Sequence, residues 1–112
     1  GDSAFGFSGM ELETICRYKL PLKLIVLNNG GIGGGIDELP DDRPLPPSML
    51  TPGAHYERVM EAFGGKGFFV TDPGELRAVL DEAMAHDGPA LINVLIHPRA
   101  GRKPQQFTWL TT

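Results

Sequence analysis

The hydrophobic pattern of this chain changes period several times along its length. Leu22-Lys23-Leu24-Ile25-Val26-Leu27 is a short, nearly continuous apolar run, as is Ala90-Leu91-Ile92-Asn93-Val94-Leu95-Ile96. Runs of this length suit strands of a parallel sheet covered on both faces. Between them, Tyr56, Val59, Met60 and Phe63 recur at helical spacing up to Gly64-Gly65, and Gly67 to Val70 form another short strand. Asp72-Pro73-Gly74-Glu75 carries the signature of a helix start, and Leu76, Val79, Leu80, Ala83 and Met84 supply its apolar stripe. Near the beginning, Ser8-Gly9-Met10-Glu11 reads as a capping box opening a helix that runs to about Lys19 and stops before Pro21. Strands alternating with helices predict an α/β fold: a parallel sheet with helices on both faces.

That order places two segments at one sheet edge. Loops leaving the carboxyl ends of parallel strands gather on the same side, so Gly1 to Gly6 and Asn28 to Gly35 are expected as neighbouring loops. Asp2 offers a carboxylate, Asn29 an amide oxygen and Gly31 a backbone carbonyl. All three are hard donors, which with diphosphate oxygens and a water would complete the octahedral shell of Mg2+. The glycines from Gly30 to Gly35 allow backbone to approach a ligand closely. Pro40 to Pro47 exclude a regular helix after Leu39 and favour an extended covering loop.

Composition narrows the picture. The chain has 112 residues, so it is at most one small domain, and its net charge of −4 argues against nucleic-acid binding as a main role. No apolar run approaches the roughly 20 residues that span a bilayer. The single cysteine, Cys16, makes no internal disulfide and reads as a buried thiol in the first helix, in keeping with a reducing, cytoplasmic setting. The strand expected to lead into Gly1 is missing from these residues, which reads as the carboxyl-terminal part of a larger or divided protein.

Gly1-Asp2-Ser3 followed by a helix, a strand and Asn28-Asn29 resembles the thiamine-diphosphate (ThDP) binding motif of ThDP-dependent enzymes. The longer stretches Gly1 to Glu11, Glu13 to Tyr18, Asn28 to Ile32, Ala62 to Gly67 and Leu91 to Val94 are similar to the 2-hydroxyacyl-CoA lyase and oxalyl-CoA decarboxylase family. So are Arg102-Lys103 with Phe107, Trp109 and Leu110. The resemblance implies that residues 1–98 are part of a ThDP- and Mg2+-binding C-terminal domain and that residues 99–112 form a tail over the active site. It implies Asp2, Asn29 and Gly31 as metal ligands, with Ser3, Ala4 and Ile32 joining them at the cofactor. Ile36 would be an apolar wall, and Arg102 and Lys103 would meet the acyl-CoA. Glu38 would tune the chemistry, although Asp37, Glu38, Asp41 and Asp42 also read as a solvated acidic loop. Relatives usually carry an aromatic residue near Gly33, and its lack here leaves a roomier corner.

The implied reaction is cleavage of the C1–C2 bond of a 2-hydroxyacyl-CoA to formyl-CoA and an aldehyde or ketone. Oxalyl-CoA decarboxylation is the alternative, and a non-catalytic phosphate-binding subunit is a further one. The glutamate that activates the cofactor belongs, in the family, to another domain of a neighbouring subunit. The expected partners are therefore the remaining domains and a second subunit, in a homodimer or tetramer, and this chain alone should be inactive. The resemblance also admits a peroxisomal location, without a targeting signal in view.

Overall fold

A computed structural model of the chain describes residues 1–36 and 38–100. Its centre is a three-stranded parallel sheet of β1 (Lys23–Asn28), β2 (Lys66–Val70) and β3 (Ala90–Leu95), in the spatial order β1-β3-β2. The apolar runs predicted as strands are thus strands, and the sheet is parallel as expected.

Helices cover both faces. On one side lie α1 (Asp2–Ser8), α2 (Glu11–Arg17) and α3 (Glu57–Ala62), packed around Leu12, Val26, Met60 and Leu91. On the other, α4 (Leu76–Ala85), led in by a short 3-10 turn at Pro73–Glu75, packs on Val70, Ala90, Ile92 and Val94. Each fully buried Leu or Met of these layers contributes about 1.5–3 kcal/mol relative to exposure. The chain passes from β1 over β3 to β2 by way of α3, then returns to β3 by way of α4. Reversing direction along the sheet while changing face is what right-handed crossovers require.

Strand alternation decides what each face receives. Leu91 and Asn93 of β3 face α3, while Ala90, Ile92 and Val94 face α4. On β1, Val26 and Asn28 are buried toward α1 and α3, whereas Ile25 and Leu27 are half exposed on the α4 side.

Two local expectations are corrected. Gly1 to Gly6 is not a loop, because the Gly1 carbonyl accepts the Phe5 N–H at 3.0 Å and α1 begins at Asp2. Ser8 is therefore the last residue of α1 and forms no capping box; α2 starts after Met10 without a side-chain cap. The ring of Phe5 lies across the break, where a Cβ on Gly9 would sit 2.9 Å from it. At its other end α2 closes with Lys19 at φ +52° and the Leu20 N–H on the Ile15 carbonyl at 3.0 Å. That left-handed cap turns the chain ahead of Pro21. The start before α4 is as predicted: Asp72 accepts the Gly74 N–H at 2.8 Å.

Candidate functional site

The carboxyl ends of β1 and β3 meet in one place. The Ile96 N–H reaches the Asn28 carbonyl at 2.9 Å, and the Gly35 N–H reaches the Pro98 carbonyl at 2.7 Å. The glycine loop after β1 is thereby folded back onto the exit of β3. Gly30 and Gly33 turn it at φ +73° and +78°, a region costly for residues with a Cβ. From the far side the covering segment joins it: Ser48 accepts the Ile32 N–H at 2.8 Å and Leu50 donates to Gly30 at 3.0 Å. Between them is a pocket of about 210 Å³ lined by Asn29, Gly30, Ile36, Met49, Leu95 and Pro98.

Asp2 enters this region from the first turn of α1. It is 1% exposed, and its two oxygens accept the Ser3 N–H at 3.0 Å and the Gly30 N–H at 2.8 Å. Among the described residues it has no ion-pair partner. A buried carboxylate held only by neutral donors is costly unless a cation joins it. Its charge reaches Tyr56: burial first, and Asp2 second, raise the phenol above its ordinary range. Asn29 bridges the loop, its side-chain oxygen accepting the Gly31 N–H at 3.3 Å while its amide donates to the Gly33 carbonyl at 2.6 Å.

The structure therefore brings Asp2 against Gly30, whose chain neighbours on either side are Asn29 and Gly31. Each Asp2 oxygen keeps a lone pair, and the donor set of carboxylate, amide oxygen and backbone carbonyl is the hard-oxygen chemistry that Mg2+ takes. The residues present fit such an ion and the diphosphate it would tether. Ser3 and Ala4 stand in the first turn of α1, Ala4 exposed, and Ile32 is 59% exposed beside the loop. Ile36 is on the pocket wall. Glu38 is exposed and is not among the lining residues, although Leu39 next to it is. Arg102, Lys103 and the tail lie outside the described residues, as does Asp37 of the acidic loop.

Sequence reading missed a second polar group behind the pocket. Glu57, Asn28 and Asn93 are all buried, at 5%, 0% and 0% exposure. The signal was present: Asn93 interrupts an apolar strand, and Glu57 stands one turn before the fully buried Met60 on the inward side of α3.

A parallel α/β sheet with a carboxylate, an amide and a glycine loop at one edge defines a nucleotide- or diphosphate-handling class of fold. Comparison with known families gives the particular member: residues 1–94 match the thiamine pyrophosphate enzyme C-terminal TPP-binding domain, and the chain belongs to that family. Among curated proteins it is 53% identical to human 2-hydroxyacyl-CoA lyase 1, over 99% of this chain and 21% of that one. It is 50% identical to the 2-hydroxyacyl-CoA lyase of Oryza sativa (90% of this chain, 18% of that one). Oxalyl-CoA decarboxylase of Escherichia coli K12 is 47% identical, over 98% and 20%. The chain spans about a fifth of the length of these relatives. The ThDP-binding motif noted in its sequence is thus that of the family it belongs to.

Proposed function

We propose that the full-length protein is a ThDP- and Mg2+-dependent carbon–carbon lyase that cleaves a 2-hydroxyacyl-CoA to formyl-CoA and an aldehyde or ketone, and that this chain supplies the diphosphate end of the cofactor site. The observation that carries the reading is the buried Asp2 carboxylate, without a cation among the described residues and pinned to the loop after β1. The similarity of the whole chain to named 2-hydroxyacyl-CoA lyases supports the substrate.

In this reading Asp2, the Asn29 amide oxygen and the Gly31 carbonyl hold the ion, and Ser3, Ala4 and Ile32 border the cofactor. Bound ThDP supplies stabilisation of the carbanion that the cleavage leaves behind. Ile36 presents an apolar wall to the reacting end. Glu38 takes the proton of the substrate 2-hydroxyl, directly or through water. Arg102 and Lys103 neutralise or orient the CoA arm, and Phe107 and Trp109 exclude water. A second subunit supplies the activating glutamate.

The test is to give full-length protein, with ThDP and Mg2+, a 2-hydroxyacyl-CoA and, separately, oxalyl-CoA. Formyl-CoA with an aldehyde or ketone from the first is the expected result. Carbon dioxide from oxalyl-CoA, with neither aldehyde nor ketone from the other, makes the protein a decarboxylase. No turnover of either makes it a phosphate-binding subunit.

Glu38 has its own test. Glu38→Gln should leave ThDP affinity unchanged and slow cleavage by about a hundredfold, the scale of general acid–base assistance. An unaltered single-turnover rate returns Glu38 to the solvated loop.

A further inference from the structure

Behind the pocket, a chain of hydrogen bonds runs from a surface imidazole to the Asp2 carboxylate. His55 Nδ1 lies 2.6 Å from Glu57 Oε1, and its ring stands 4.4 Å from that of Phe69. Glu57 Oε2 accepts from Asn93 Nδ2 at 2.8 Å. The same amide donates to the Ala54 carbonyl at 2.8 Å, and Asn28 Nδ2 donates to that carbonyl at 3.1 Å. Asn28 Oδ1 then accepts the Gly30 N–H at 3.1 Å, the N–H that Asp2 also accepts.

The direction of the two asparagine links is fixed by their partners. Asn93 faces two acceptors, a carbonyl and a carboxylate, so its NH2 must point at both. The consequence is that Asn93 Oδ1 is buried with no partner among the described residues. An orphaned buried acceptor gives up the hydrogen bonds it would make in water, which is destabilising. An aliphatic residue at this strand position would avoid that cost on the face it shares with Leu91. Asn93 is thus a poor choice for the sheet alone, and what it accomplishes is to hold the Ala54 carbonyl between two strands and to fix Glu57.

We propose that Glu57 and Asn93 are positioning residues for the metal carboxylate. Through the Ala54 carbonyl and Asn28 they set the Gly30 N–H, and with it the spacing between Asp2 and the Asn29–Gly31 donors. The proposal rests on the Mg2+ reading above, and the experiment separates the two.

In full-length protein, ThDP is titrated calorimetrically with Mg2+ and again with EDTA in its place. The ratio of the two affinities is the metal-dependent gain. Glu57→Ala should lower that gain about tenfold, the lower end for residues supporting a metal ligand, and Asn93→Ser, which keeps one donor in place of two, should lower it less, about threefold. Glu57→Gln keeps an acceptor for Asn93 and an amide for His55, so it should retain the gain within about twofold. Met60→Ala, one turn along α3, should lower the thermal midpoint while leaving the gain unchanged, which separates positioning from general packing. Should Glu57→Ala fail to fold, Asn93→Ser decides. An undiminished gain in the foldable variants, with Asp2→Ala abolishing it, overturns this proposal alone. An undiminished gain in Asp2→Ala overturns the metal reading and this proposal together.

Discussion

Replacing Asp2 by Ala in the full-length protein should lower ThDP affinity in the presence of Mg2+ by at least about a hundredfold, beyond what is lost when a residue merely supports a ligand. The carboxylate is 1% exposed, its hydrogen bonds come from the Ser3 and Gly30 amides, and no described cation balances it. Without an ion that burial is unfavourable, and a divalent ion held as proposed would turn it into binding energy. Asp2→Asn separates the two consequences. An amide oxygen still accepts the Gly30 N–H without the charge, while the acceptor for the Ser3 N–H is lost, so the unloaded protein should be about as stable as the parent. Stabilisation by Mg2+ and ThDP, which binding to the native state provides by mass action, should disappear. Thermal midpoints with and without Mg2+ and ThDP, beside a calorimetric titration, read both effects. Unchanged ThDP affinity in Asp2→Ala would refute the metal assignment.

Much of this candidate site was legible in the sequence because the residues that make it up are recognisable locally. Asp2 and Asn29 are recognisable by residue type, and the apolar runs on either side say which sheet edge they share. The β strands were equally plain, since Leu24 to Leu27 and Leu91 to Val94 admit few other roles. What local reading mistook was the opening: Ser8 and Glu11 have capping-box spacing, yet the Gly1 carbonyl starts the helix earlier and consumes Ser8. Nothing in seven residues of propensity could weigh that. What it missed altogether was the pairing of Glu57 with Asn93, which are 36 residues apart in sequence and meet only once α3 crosses the sheet. A buried Glu looks like any helix-surface Glu until its partner is known.

Gly35 carries the other large expected effect. It is buried, with its N–H on the Pro98 carbonyl at 2.7 Å. A Cβ here would intrude on the Asn29 carbonyl oxygen and come within 2.7 Å of Pro98 Cβ. Neither neighbour is the end of a flexible side chain; one is backbone and the other a ring. Gly35→Ala must therefore push the loop off β3 or drag Asn29 with it, and Asn29 is where an amide oxygen is wanted. Overpacking of this kind costs about 1–3 kcal/mol. Expressed wholly in cofactor affinity, that is roughly 5- to 150-fold. Its neighbour is the control: at Gly34 the nearest atom to a Cβ is the Pro98 carbonyl oxygen at 4.0 Å, and its φ is not positive. Gly34→Ala should leave ThDP affinity within about twofold, as for a substitution away from any such clash. Equal affinities for the two variants would show that the loop is free to move off Pro98, and that closeness of backbone at Gly35 does not hold Asn29 in place.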